Sequence, residues 1–180
     1  MTMATTASTG VVSDERADLL ESLRLHRGFL RFTVRGLNEE QIRLRTTASE
    51  LCLGGLIKHV TAGERGWTDF ILDGPAAMGD FTAMTPEEQE RWAARSVVEP
   101  GETLEGLLEE YAAVAARTDA IVATLPDLGV SHPLPRAPWF EEGARWSARR
   151  TLLHIIAETA QHAGHADIIR ETLDGQKTMG

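Results

Sequence analysis

Apolar positions recur every three or four residues along four long stretches of the chain, a period that predicts helices. The first stretch runs from about Asp14 to Arg35 and sets Leu19, Leu20, Leu23, Phe29, Leu30 and Val34 on one side. Ser13 stands where a capping residue belongs, but Arg16 occupies the place that a capping box fills with Glu or Gln, so the cap is partial. Gly36 is a stop signal, and Asn38 to Thr47 reads as a linker with a short turn of helix. The second stretch spans about Ser49 to Leu72 and ends before the turn signal Asp73-Gly74-Pro75. Leu53, Leu56, Ile57, Val60, Trp67, Phe70 and Ile71 form its apolar side. Gly54, Gly55, Gly63 and Gly66 each cost about 1 kcal/mol relative to Ala in a helix interior. Two explanations stand side by side for them: close packing, or clearance for something beside the helix.

Residues 75–101 form a long connection. Within it, Thr85-Pro86-Glu87-Glu88 starts a short helix that reaches about Arg95. The third main helix is expected from about Thr103 to Leu125, with its acids Glu102, Glu105, Glu109 and Glu110 near the N-terminus, where the helix dipole favours them. Residues 126–146 are rich in proline, carry Trp139 and Trp146, and read as a loop. Ser147 caps a fourth helix that runs to about Leu173 and stops at Asp174-Gly175. Nothing alternates with a period of two over more than a few residues. The expected fold is all-α: a four-helix bundle with a long crossover between helices 2 and 3. Residues 1–12 read as a disordered lead-in, 13–175 as one helical domain and 176–180 as a tail.

Composition narrows the function. A chain of 180 residues suits one domain. The single cysteine, Cys52, excludes an intramolecular disulfide and a multi-thiolate zinc cluster. With 18 basic and 27 acidic side chains the net charge is −9, which argues against a nucleic-acid partner. The opening MTMATTASTGVV lacks the basic and apolar regions of a signal peptide, and no run approaches the ~20 apolar residues of a membrane span. A cytoplasmic protein with no membrane partner is expected, and a homodimer through a helix face is compatible with the pattern.

Six histidines remain, and three fall in His154-Ile-Ile-Ala-Glu158-Thr-Ala-Gln-His162-Ala-Gly-His165. At about 100° per residue, His154, Glu158, His162 and His165 share an arc of roughly 80°. The apolar Leu152, Ile156 and Ala163 centre elsewhere, so this polar arc is a shoulder of the buried stripe. Glu158 and His162, one turn apart, can converge on one divalent ion. Alone, such a pair is a weak signal and reads more simply as a solvated face. His59, mid-helix in Leu56-Ile57-Lys58-His59-Val60, reads either as a core histidine or as a third ligand brought within 8–10 Å by helix packing. With it, His59, Glu158 and His162 form a set of three, which leaves a coordination position open as catalytic sites do. A ferritin-like di-iron site needs Glu-x-x-His on two helices, and a zincin needs His-Glu-x-x-His; neither is present. Cys52 lies about 10 Å along the helix from His59, too far to share an ion, and reads as a small core residue.

Leu53-Gly54-Gly55-Leu56-Ile57-Lys58-His59-Val60 with Glu64-Arg65-Gly66-Trp67 resembles the second helix of DinB-like proteins. Trp146 through Glu171 resembles the fourth helix of an actinobacterial branch of that superfamily, a branch of mostly unassigned function. The resemblance implies a DinB-type four-helix bundle with a divalent metal, zinc or nickel, held by three side chains. Many relatives carry His-x-x-x-His on the fourth helix, whereas this chain has Glu158 at the first of those positions. A similar His/Glu/His set occurs in mycothiol-dependent maleylpyruvate isomerase. The resemblance carries the ligand role onto His59, Glu158 and His162. His165 falls where many relatives have Gln.

The expected function is a metal-dependent thiol transferase or isomerase using a low-molecular-weight, mycothiol-like thiol against an electrophile. An ion in the site would lower the pKa of that thiol, and the chain supplies no suitable thiol itself. Arg149 is a candidate for binding an anionic thiol or a substrate carboxylate, and equally a surface residue. His165 is a candidate catalytic proton relay or an orienting neighbour of a ligand, and His154 a core or orienting residue. Trp67, Trp139 and Trp146 read as pocket walls or as plain core. The alternatives are a non-catalytic dimeric metal-binding bundle and a metal-dependent hydrolase with water as nucleophile.

Overall fold

The computed structural model describes residues 11–178. Most of the lead-in expected over 1–12, and the last two residues of the tail, lie outside the described residues. Helix α1 spans Val11–Thr33, so Ser13 lies inside it and is not its cap. A 3-10 turn at Gln41–Arg43 occupies the expected linker. Helix α2 spans Leu53–Asp73, starting four residues after the expected Ser49. The short helix α3 spans Pro86–Ala94 and is closed by a full capping box between Thr85 and Glu88. Helix α4 spans Leu104–Thr124, capped by Thr103, and α5 spans Ala148–Asp174, capped by Ser147. Each cap side chain satisfies a backbone N–H that the helix itself leaves without a partner.

Four long helices make an all-α bundle. α1 packs on α5, α5 on α2 and α2 on α4, while α1 and α2 share little contact and face each other across the bundle. Two apolar clusters fill it. Leu30, Ile42, Leu56, Ile57 and Ala166 belong to one; Leu19, Leu23, Val122, Leu152 and Ile155 belong to the other. Arg170 of α5 is buried among these helices and donates to the carbonyls of Thr33 and Arg35 at 2.7 and 2.8 Å. It thereby satisfies orphan carbonyls at the end of α1 and ties that end to α5.

The long connection between α2 and α4 carries α3. Its return toward α4 lies against the first turn of α2, where a Cβ on Gly55 would stand 2.3 Å from the carbonyl oxygen of Ser96 and one on Gly54 would meet Val98 at 2.8 Å. These two glycines therefore serve close approach, of a connecting segment rather than of another helix. The region expected to be a loop contains a small antiparallel pair, β1 (Ser131–Pro133) and β2 (Arg145–Ser147). Strands of three residues are too short to give a period-two signal. β1 sets His132 against the end of α2, where its Nε2 lies 3.2 Å from the carbonyl oxygen of Ile71. Gly74, at φ +72°, adopts a conformation that glycine favours, and a Cβ there would lie 2.9 Å from the His132 ring.

Candidate metal centre

α2 presents His59, and α5 presents Glu158 and His162 one turn apart. All three are half-buried, and one ligand atom from each lies within 4.8 Å of the others. The His59 and His162 rings meet edge to face with centroids 4.7 Å apart. His162 Nε2 lies 3.6 Å from a Glu158 carboxylate oxygen. Burial, then the neighbouring His162, hold His59 below the usual imidazole range, so at neutral pH its ring is uncharged and keeps a lone pair. The neighbouring His162 ring, with His154 and His59 adding to it, holds Glu158 below the ordinary carboxylate value. Two imidazoles and one carboxylate form a donor set suited to a divalent transition ion.

His154 lies on the other side of Glu158, its Nε2 4.0 Å from the carboxylate. Its ring stands edge-on to Trp67 and Trp146, with centroids 4.8 and 4.9 Å away, and burial lowers its pKa. It neighbours the cluster of three without belonging to it. His165 places its Nδ1 3.4 Å from Nδ1 of His162 and does not line the cavity described below, so it touches His162 from outside the cavity. Arg149 is elsewhere. It is exposed at the start of α5 and pairs with Glu15 of α1, outside the cavity. Of the two readings of Arg149, anion binder or surface residue, this position suits the second: its first-turn place on α5 points it at α1.

The cluster opens on a cavity of about 490 Å³. α2 lines it with His59, Gly63, Glu64 and Trp67, α5 with His154, Glu158, Thr159 and His162, and the rim is made by Trp92, Arg95, Trp139 and Phe140. Trp67 stacks on Trp146 at 4.9 Å. A Cβ on Gly63 would meet nothing within 4 Å, so this glycine leaves open space, in contrast to Gly54 and Gly55. Sequence reasoning missed Trp92, Arg95 and Phe140. The available signal was Trp92, an aromatic in the otherwise polar face of α3, with Arg95 three residues on.

Glu64 was also missed. It sits on the apolar side of α2, four residues after Val60, and is 2% exposed. Arg27 of α1, 5% exposed, donates to it from Nε at 3.1 Å and to Asp119 of α4 at 2.8 Å. Beside this network the Tyr111 hydroxyl is buried with no hydrogen-bond partner among the described residues. Burial and the charge of Glu64 push its pKa up, so it stays protonated.

Comparison with known proteins agrees with this architecture. Residues 18–175 match the family described as mycothiol-S-transferase. A solved structure, described as a conserved protein from Enterococcus faecalis, superposes with a TM-score of 0.60 at 17% identity, covering 89% of this chain and 97% of that one. At that identity the likeness concerns the fold. No curated protein matches the chain. No helix among the described residues is long and apolar enough to cross a membrane.

Proposed function

The chain belongs to the mycothiol-S-transferase family, and from that premise we propose that it is a divalent-metal-dependent S-transferase joining a low-molecular-weight thiol to an electrophile. The observation that carries this reading is the convergence of His59, Glu158 and His162 on one aromatic-walled cavity. Their chemistry fits zinc or nickel, and three protein donors leave room for an exogenous ligand. An ion held there would lower the pKa of a coordinated thiol and favour the thiolate at neutral pH.

The chain's own residues complete the site. Trp67 and Phe140, both half-buried, shield one wall from water, which strengthens electrostatic contacts inside. Burial keeps His59 and His154 uncharged, so neither adds positive charge at neutral pH. Cys52 does not line the cavity, so the nucleophile comes from solution. His165 contacts His162 and is placed to orient that ring. In the transfer, a C–S bond forms to the thiol sulfur, the S–H proton is released, and the electrophile's electron pair leaves with a departing group or takes up a proton.

The test begins with elemental analysis of protein purified without a metal-binding tag. About one zinc or nickel per chain, absent from His162→Ala, is expected. Incubation with an electrophile and with mycothiol, other thiols or no thiol follows. Mycothiol-dependent conjugation supports the transferase reading, whereas turnover without thiol converts it to a hydrolase. Metal-free protein in every preparation overturns it.

A further inference from the structure

Arg95 differs from every other sheltered arginine. Six arginines among the described residues are buried or half-buried: Arg16, Arg27, Arg35, Arg43, Arg95 and Arg170. Five of them donate to a named oxygen of the protein, such as Leu125 O for Arg16, Glu64 for Arg27 and Thr33 O for Arg170. Among the described residues Arg95 has neither an ion pair nor a hydrogen-bond acceptor, and its guanidinium carbon lies 4.5 Å above the Trp92 ring. It lines the cavity together with His59, Glu158 and His162. Its charge is felt at His59. Burial and the charge of Arg65 both disfavour its cation, so a counter-charge is missing where one would be most welcome.

The rest of the rim is apolar. Trp92, under the guanidinium, and Trp139 and Phe140 line the same cavity as Arg95. Such a surface accepts a flat hydrophobic body, and a guanidinium fork beside it accepts a carboxylate through two parallel hydrogen bonds. The position of Arg95 is also fixed. Ser96, the next residue, lies against Gly55 with no space for a side chain between them, so the backbone beside Arg95 is held against α2, and Trp92 lies under the guanidinium.

We infer that Arg95 is the anion-recognition residue of this cavity, and that the electrophile accepted here is an aromatic-sized molecule bearing a carboxylate. The electrophile's part in this rests on the S-transferase reading; the anion preference of the cavity does not. The probes are cinnamate and cinnamamide, equal in shape and differing in charge, titrated calorimetrically into the purified protein. Wild-type protein is expected to bind cinnamate about ten-fold more tightly than cinnamamide, as a charge-assisted pair in a sheltered site provides. Arg95→Met is expected to bring that preference to about two-fold or less, with Arg95→Lys between, because a point charge keeps the attraction and loses the fork. Any ion held by the three ligands is common to both proteins, so it does not account for a difference between them. Equal binding of the two probes by wild type, binding of neither, or an undiminished preference in a folded Arg95→Met variant overturns the inference. If the preference appears but no thiol conjugation is found, the transferase reading fails and the anion site stands.

Discussion

Two polar clusters share helix α2, less than two turns apart, and they differ in closure. Glu64 is fully engaged: Arg27 grips its carboxylate, and Asp119 takes the remaining side of the guanidinium. The Glu64 side chain is fully buried and its charge is met inside the protein. His59 faces Glu158 and His162 across a gap, and all three open on a cavity. The same helix thus carries a network whose charges are spent inside the protein and a set of donors whose lone pairs are not. Burial alone does not mark a functional site; unspent bonding capacity at the edge of a cavity does.

Substitutions on each side can break this distinction. His162→Ala removes a donor from the open set. Turnover is expected to fall about 100-fold or more, beyond what loss of a ligand's supporting neighbour costs, with metal content falling and thermal stability little changed without metal. A matched loss of folding would show that the open set is structural after all. Glu64→Gln strikes the closed network. It leaves Arg27 buried with Asp119 as its one carboxylate, and should destabilise the fold by about 3 kcal/mol, read by urea denaturation, while metal content is retained. Loss of metal in a folded Glu64→Gln protein would join the two clusters into one.

A pH series separates them further. His59 and His154 are held by burial below the value of about 6.5 expected in the unfolded chain. The folded protein therefore binds fewer protons than the unfolded chain as the pH drops. The stability they contribute is fully present above about pH 6.5 and is lost as the pH falls through their lower native values. His154→Gln is expected to flatten the difference in denaturation midpoint between pH 7.5 and 5.5, and an unchanged slope would place the sensitivity elsewhere. The smallest effect belongs to Arg149→Ala. Its pair with Glu15 is exposed, such pairs contribute little, and stability, metal content and turnover should all match wild type.

The four long helices were legible because each carries its own apolar period and stop signals. Ser147 and Thr103 announce their helices, and Gly74 and Gly175 end theirs. The first turn of α2 was misjudged by four residues, since Ser49 resembles a cap while Cys52 occupies the capping position without a side-chain bond. Glu158 and His162 were legible as a pair because helix geometry makes them neighbours. His59 could be joined to them because a bundle brings facing helices together. Arg95 was not legible: its relation to His59 depends on how the segment after α3 folds back over α2, which no local period encodes. Arg149 looked equally suited to an anion, but its place in the first turn of α5 turns it away from the cavity.

The glycine contact at the start of α2 has a consequence for change over time. α3 contributes no buried residue to the bundle, yet Gly55 and Ser96 clamp the end of its segment against the frame. Trp92 and Arg95 can therefore be replaced while the contact that positions their segment stays put, and Trp139 and Phe140 can be varied separately on the β1–β2 connection. A laboratory library confined to these four positions would vary what enters without disturbing what holds His59, Glu158 and His162 in register.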